Sequence, residues 1–232
     1  MTHDVANRYA ELRAEIPARV RIVAVTKAQP AAAIAEALAA GITEIGENYL
    51  QEAKPKFAAA GEGYTKHFIG HVQSNKAKAI VETFDVVQSV DRLEAGQALA
   101  KAAAAIGKRL PVLIQLNVSP SERFGVRPED APELAQALRR EPSLLLDGVM
   151  AIGPLGASRA ETARAFELAA SVFGVVGGTT LSLGMSDDWR EALRAGSTML
   201  RLGSALFGPR PALSRVWSSA CRTVSVKRPQ AP

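Results

Sequence analysis

The sequence predicts an α/β protein whose single domain is a closed (β/α)8 barrel of the TIM type. Eight short apolar or β-branched runs alternate with helical stretches along the 232 residues, and no Pro-, Gly- or Ser-rich linker divides them. An apolar content of 47% is enough to fill one large core at this length. Such alternation indicates a parallel sheet covered by helices, and an open doubly wound sheet is the alternative.

The predicted strands follow one another in chain order. The first is the β-branched run 21–26, and the helix predicted at 31–40 ends at Gly41. The other strands are predicted at 44–46, 67–69, 86–90, 112–118, 147–152, 180–183 and 199–202. Eight strands are the number that closes a TIM-type barrel.

An extra amphipathic helix is predicted ahead of the first strand. Its apolar residues recur at helical spacing: Val5, Tyr9, Leu12 and Ile16. We expect this helix to cover the bottom of the barrel. The single domain is expected to span 1–226, and the segment 227–232 is expected to be a frayed tail.

Charge and cysteine content narrow the class of protein. The net charge is +5, yet the basic residues are scattered except for a basic cluster. That cluster consists of Lys54, Lys56, Lys66, Lys76 and Lys78. No stacking aromatic or zinc-finger pattern interleaves it, so we expect no nucleic-acid partner and retain the cluster only as a candidate protein-binding surface.

The single cysteine and the hydropathy pattern predict a location. Cys221 alone can form neither an internal disulfide nor a multi-cysteine metal site, which fits a reducing compartment. No apolar run is long enough to span a bilayer, and the first ten residues lack the order of a secretory signal. We therefore predict a cytoplasmic protein with no metal site.

Lys27 directly follows the first predicted strand and is the leading candidate for chemistry. Active sites of such barrels form at the C-terminal ends of the strands, where a partly desolvated lysine favours the neutral amine. That is the form a Schiff base requires. From position alone, a lysine that extends to solvent explains the residue equally well.

Polar residues also follow the seventh and eighth predicted strands. Ser186 lies where a strand leads into a helix, and Gly203 and Ser204 follow the last strand. The loops after strands seven and eight are the usual phosphate site of this fold, so two half-sites are expected to converge on one anion. Arg201, between two leucines, is expected to point into the barrel mouth, where a buried guanidinium needs an acceptor.

Several long motifs in the expected order make the sequence recognisable. They are VTK at 25–27, GENY at 46–49, HFIGHVQSNK at 67–76, LSLGMSDD at 181–188 and GSTMLRLGSALFG at 196–208. Together they resemble the pyridoxal phosphate homeostasis proteins, which are relatives of the alanine racemase N-terminal barrel. The resemblance covers the chain from about Arg21 to Gly208.

The resemblance implies pyridoxal 5'-phosphate as the cofactor and a role for each candidate residue. Lys27 would be the Schiff-base lysine and Arg201 the partner of the pyridine nitrogen. Asn48 would line the cofactor pocket. The phosphate ligands would be Ser186, Gly203 and Ser204.

The sequence departs from the family pattern at Arg123, where many members carry a lysine shortly before the glycine of this loop. An arginine keeps the positive charge but forms no Schiff base at ordinary pH. Transfer of the cofactor through a second lysine at this loop is therefore put in doubt.

The leading functional hypothesis is a protein that stores, buffers or delivers pyridoxal phosphate and is not an efficient enzyme. A guanidinium beside the pyridine nitrogen disfavours the pyridinium form and weakens the electron sink. The competing hypothesis is a slow amino-acid racemase with Lys27 as one base and Tyr49 as the other. A third hypothesis keeps the predicted phosphate site but has no Schiff base, as in a sugar-phosphate enzyme.

The expected partners are the cofactor itself and pyridoxal-phosphate-dependent apo-enzymes. No particular recipient is indicated by the sequence. A closed barrel needs no partner to protect a sheet edge, so we expect a monomer.

Overall fold

The computed structural model describes residues 5–119 and 124–209, in which eight parallel strands close into one barrel. The strands pair in chain order, and the last pairs with the first. They are β1 Arg21–Val25, β2 Glu44–Glu47, β3 Thr65–Phe68, β4 Val86–Val90, β5 Leu110–Leu116, β6 Leu144–Ala151, β7 Thr180–Ser182 and β8 Met199–Leu202. The predicted TIM-type barrel is confirmed.

Helices follow the strands and form the outer layer. They are α1 Val5–Glu15, α2 Ala32–Ala39, α3 Leu50–Ala60, α4 Ala77–Thr83, α5 Leu93–Ala105, α6 Ala131–Arg139, α7 Arg159–Val176, α8 Trp189–Arg194 and α9 Ser204–Phe207, with a 3-10 turn at Ser74–Lys76. Local sequence sets their ends. Ser158 and Glu161 form a capping box at the start of α7, and Gly177, with φ +73°, ends that helix. None of these helices is long and apolar enough to cross a membrane.

Helix α1 does not lie under the barrel, so the expected position of the N-terminal helix is wrong. It packs against α2 and α9, and Glu15 pairs with Arg190 of α8 at 2.7 Å. Ile16 and Val20, which follow it, are part of the core around the barrel. Because α9 is only one turn long, α1 fills the place in the outer ring between α8 and α2.

The core has two layers separated by the barrel wall. Ile22 and Ala24 point outward into a continuous apolar cluster between the strands and the helices. Val23 and Met150 are fully buried on the inner face, and Val23 is in register with Arg201 of β8. The inner layer therefore contains polar as well as apolar side chains, whereas the outer layer is mainly apolar.

Some residues with a prediction lie outside the described ranges, and the structure alters the interpretation of the basic cluster. Arg123, Cys221 and the predicted tail at 227–232 are outside them. The basic cluster is not one open surface, because Lys56 is buried against Glu47 and Lys66 pairs with Glu62 at 2.8 Å.

Candidate cofactor site at the barrel mouth

The predicted site residues collect at one end of the barrel. Lys27 comes two residues after Val25, and Asn48 comes two residues after Gly46, to which Val25 is paired. Since side chains alternate along a strand, Lys27 and Asn48 leave neighbouring strands on the same, inner face. Both are partly buried.

The loops after β7 and β8 meet directly. The Ser186 Oγ accepts hydrogen bonds from the backbone N–H of Gly203 at 3.2 Å and of Ala205 at 3.0 Å. A side-chain oxygen thus already lies among backbone donors where an anion was predicted. Ser204 begins α9 beside them and is exposed. The two predicted half-sites therefore form one polar cup.

The loop that carries Ser186 is held by its own neighbours. Gly184 has φ +90°, and a Cβ there would lie 2.6 Å from the Cβ of Ala192, so the turn requires glycine. The carboxylate of Asp188 accepts the N–H of Met185 at 2.6 Å. Burial raises the pKa of Asp188, while that hydrogen bond and the charge of Arg201 oppose the rise.

Arg201 is buried inside the barrel, and its acceptors are on the neighbouring strands. Nη1 donates to the carbonyl oxygen of Ser182 at 2.8 Å and to its hydroxyl at 2.7 Å. Nη2 donates to the carbonyl oxygen of Ala151 at 2.8 Å. Burial lowers the pKa of Arg201 to about 10, with Asp188 acting against the change, so the guanidinium stays charged at neutral pH. These three hydrogen bonds use Nη1 and one N–H of Nη2.

A buried ion pair holds the residue before Lys27. The Nζ of Lys56 donates to the Thr26 carbonyl oxygen at 2.8 Å and to Glu47 Oε1 at 2.9 Å. The hydroxyl of Thr26 donates to the same carboxylate oxygen at 2.7 Å. Burial raises the pKa of Glu47 even though Lys56 and Thr26 donate to it. The end of β1 is thus fixed to β2 and α3.

The residue after Lys27 is held by the same helix. The N–H of Ala28 donates to Glu52 Oε2 at 3.1 Å, and Lys56 Nζ lies 3.4 Å from that oxygen. Ala28 has φ +58°, a left-handed conformation that costs a non-glycine residue about 1–2 kcal/mol. Lys27 is therefore flanked on both sides by backbone that α3 constrains.

Asn48 is placed by a close backbone approach. A Cβ on Gly70 would lie 1.9 Å from the carbonyl oxygen of Asn48, so only glycine fits after β3. The Asn48 Oδ1 is buried and has no hydrogen-bond partner among the described residues. A buried amide oxygen without a donor suits a ligand that brings one.

Two aromatic residues lie at the rim. Phe124 is 62% exposed and stacks on His71, with ring centroids 3.9 Å apart. The Nδ1 of His71 lies 3.3 Å from Asp91 Oδ2. Tyr49 is 57% exposed and lines surface grooves beside α3. The rim is more apolar than the polar floor formed by Arg201 and the cup.

Sequence reasoning missed the residues that support the site from behind. Lys56 was one of the five lysines of the predicted basic cluster, and no role was predicted for Glu47. Ser182 was not recognised as the acceptor that Arg201 needs. A polar residue on the inner face of a buried strand was the available signal for Ser182, because alternation identifies that face.

Comparison with known proteins places the chain in a class. The family model of the alanine racemase N-terminal domain matches residues 2–211. The solved alanine racemase of Clostridium difficile superposes with a TM-score of 0.76 at 13% identity, covering 90% of this chain and 58% of that one. The protein is thus an alanine racemase N-terminal-type barrel.

More similar proteins identify the family within that class. A pyridoxal phosphate homeostasis protein of Pseudomonas aeruginosa is 46% identical over 200 residues, which are 84% of this chain and 86% of that protein. PipY of Synechococcus elongatus, solved with PLP bound, has a TM-score of 0.83 at 37% identity, covering 88% of this chain and all of that one. The chain belongs to the pyridoxal phosphate homeostasis protein family.

Proposed function

We propose that this protein binds pyridoxal 5'-phosphate and stores, buffers or delivers it in the cytoplasm as a monomer. The observation that carries the proposal is the meeting of Lys27, the Ser186–Gly203 cup and the buried Arg201 at one barrel mouth. The PLP-bound structure of PipY, 37% identical, supports the same ligand. The resemblance to proteins named for pyridoxal phosphate homeostasis supports the non-catalytic role.

The residues fit each part of this ligand. Its aldehyde condenses with a lysine amine to a Schiff base and releases water, and Lys27 is the lysine at the mouth. The phosphate would take the place where Ser186 Oγ meets the N–H groups of Gly203 and Ala205. Ser204 would add a hydroxyl. Asn48 would line the pocket through its unpartnered oxygen.

Arg201 would face the pyridine nitrogen. A guanidinium only donates hydrogen bonds, so it favours the unprotonated nitrogen and weakens the electron sink that amino-acid chemistry needs. The side chain of Tyr49, the second base of the racemase alternative, is mostly in solvent. Both features favour binding and transfer over turnover.

The first test is covalent trapping. The purified protein with added pyridoxal phosphate should absorb in the imine region, and borohydride followed by peptide mapping should find the reduced cofactor on Lys27. Lys27→Ala should lose both signals, whereas Lys54→Ala, an exposed lysine on α3, should keep them. A featureless wild-type spectrum would refute the proposal.

Two further measurements separate the carrier from a slow enzyme. The loaded protein should restore activity to a pyridoxal-phosphate-dependent apo-enzyme faster than the same concentration of free cofactor in buffer without protein. It should exchange no deuterium at the Cα of alanine or other amino acids. Steady exchange that depends on Lys27 would instead support the racemase.

A further inference from the structure

A line of polar side chains runs through the barrel interior, from the partly exposed Arg21 to the buried Arg201. It begins at the N-terminal ends of the strands and takes one residue from each of six strands. Its members are Arg21, Glu44, His67, Gln88, Ser182 and Arg201. We call this line the interior chain. It connects the floor of the proposed cofactor site to the opposite end of the barrel.

The lower part of the interior chain consists of Arg21, Glu44 and His67. Arg21 donates to Glu44 through Nε and Nη2, each at 2.8 Å. His67 Nε2 lies 2.9 Å from Glu44 Oε2, and its ring is fully buried. Burial alone would raise the pKa of Glu44, but the contacts with His67 and Arg21 outweigh it and bring the pKa to about 2. Glu44 is therefore an anion that only accepts.

The upper part consists of side chains with no exposure to solvent. Gln88 Nε2 lies 3.0 Å from His67 Nδ1. The hydroxyl of Ser182 donates to Gln88 Oε1 at 2.7 Å and accepts from Arg201 Nη1, also at 2.7 Å. His67, Gln88 and Ser182 are all fully buried, so no water competes for these bonds.

The anion at the base sets the direction of every bond above it. Because Glu44 only accepts, the Nε2 of His67, 2.9 Å from it, carries a proton, and the amide nitrogen of Gln88 donates to Nδ1. The amide nitrogen of Gln88 must then face His67, and its oxygen must face Ser182. The proton of Ser182 points to Gln88, which leaves a lone pair for Arg201. In this arrangement Gln88 and Ser182 each have a partner on both sides.

We propose that the interior chain positions Arg201 for the ring nitrogen of pyridoxal phosphate, with His67, Gln88 and Ser182 as positioning residues. The proposal rests on the proposed function. With Nη1 and one Nη2–H held by Ser182 and Ala151, the remaining N–H groups are the ones that can meet the ring. A guanidinium fixed before binding loses less side-chain entropy when the ligand arrives.

The test compares pyridoxal phosphate with its 1-deaza analogue, in which a C–H replaces the ring nitrogen. Ser182→Ala removes the hydroxyl between Gln88 and Arg201. It should weaken binding of pyridoxal phosphate about tenfold, or about 1.4 kcal/mol, and leave the affinity for the analogue unchanged. Ser182→Thr keeps a hydroxyl and should restore much of the lost affinity. Binding is followed by absorbance titration.

A second variant acts at a distance from the ligand. Gln88→Glu keeps the size of the side chain but replaces the amide N–H group that faces His67 by a carboxylate oxygen, so the same selective loss is expected. Met150→Leu is the matched control, because Met150 is buried on the inner face in register with Ser182 but has no place in the interior chain. It should not discriminate between the two ligands.

The outcomes separate this inference from the function on which it rests. If Ser182→Ala and Gln88→Glu weaken both ligands equally, or neither, the interior chain only stabilises the fold and the inference is wrong. In that case the wild type still binds pyridoxal phosphate. If the wild type binds neither ligand, the proposed function fails and the inference fails with it.

Discussion

Replacing Lys56 by Met tests whether the buried ion pair fixes the strand end that carries Lys27. The Lys56 side chain is only 11% exposed, and its Nζ contacts the Thr26 carbonyl oxygen and Glu47 Oε1 at 2.8 and 2.9 Å. Methionine has a similar length and no charge. The variant therefore leaves the cavity nearly filled and the carboxylate of Glu47 without its cation.

The loss of unfolding free energy in Lys56→Met depends on how the remaining carboxylate of Glu47 is accommodated. Removal of one partner from a buried ion pair costs about 3–5 kcal/mol of unfolding free energy. Glu47 can reduce that cost by taking up a proton, since burial already raises its pKa in the native protein. The lost bond to the Thr26 carbonyl oxygen cannot be replaced by Met. We therefore expect Lys56→Met to lose about 3 kcal/mol near neutral pH.

The loss should depend on pH in a defined direction. A carboxyl with a higher pKa in the folded protein binds more protons there than in the unfolded chain between the two pKa values. Stability consequently falls as the pH rises through that window, by up to about 1.4 kcal/mol per pH unit. Without Lys56 the folded pKa of Glu47 rises further, so the defect should be small at mildly acid pH and largest above neutrality.

Urea unfolding at mildly acid and mildly alkaline pH measures this directly. The double variant Glu47→Gln with Lys56→Met has no ionisable group at the pair and should lose the extra pH dependence. Lys54→Met, an exposed change on the same helix, should stay within about 0.5 kcal/mol of the wild type. A loss below about 1 kcal/mol at both pH values would refute the reasoning, because that is the range of an exposed pair.

Three more predictions concern separate parts of the structure. Gly70→Ala should cost about 3 kcal/mol of unfolding free energy and weaken pyridoxal phosphate binding, because its Cβ would lie 1.9 Å from the Asn48 carbonyl oxygen; a variant that melts like the wild type would contradict this. Ser158→Ala should cost about 1 kcal/mol by removing the capping box of α7, while Ser158→Asp should keep most of it, as thermal unfolding can measure. Glu44, with a pKa of about 2 against an ordinary 4.5, should contribute about 3 kcal/mol that is present above the unfolded pKa and lost as the pH falls through the folded one. Glu44→Gln should therefore be destabilised at neutral pH and nearly equal to the wild type near pH 2, and an equal deficit at both would exclude this role.

The strands could be predicted because each is a short apolar run between turns. The runs predicted at 86–90 and 199–202 coincide with Val86–Val90 and Met199–Leu202. The fifth strand begins two residues before its predicted start, at Leu110–Leu116, and Pro111 lies within it in register with Leu145. Closure into a barrel followed from the number of strands and the absence of a linker.

The support of the site was harder to predict because it depends on which elements touch. Lys56 and Lys54 are close in sequence on α3, yet Lys56 is buried and Lys54 is exposed. From composition alone, both lysines are expected to be in solvent. Helical periodicity places Lys56 on the same face as Ala53 and Phe57, which are buried, and could have indicated the difference. The partner Glu47 lies on another element and needed the fold.

The interior chain shows the same limit in a different form. His67 and Gln88 each occupy the inner face of a strand, so alternation could have placed them inside the barrel. Their hydrogen bonds to one another, and from there to Ser182 and Glu44, depend on the register of six strands. No pattern within a single strand specifies that register.

The pairing of β1 with β8 has a consequence for synthesis. Arg21 is in register with Met199. The backbone hydrogen bonds on one edge of β1 therefore form only when β8 is present. A ribosome delivers β1 early and β8 only after almost all of the described chain, and until then the growing sheet has two open edges. Such edges recruit other strands. A chain truncated before Met199 should therefore aggregate and should not bind the cofactor even with reduced affinity.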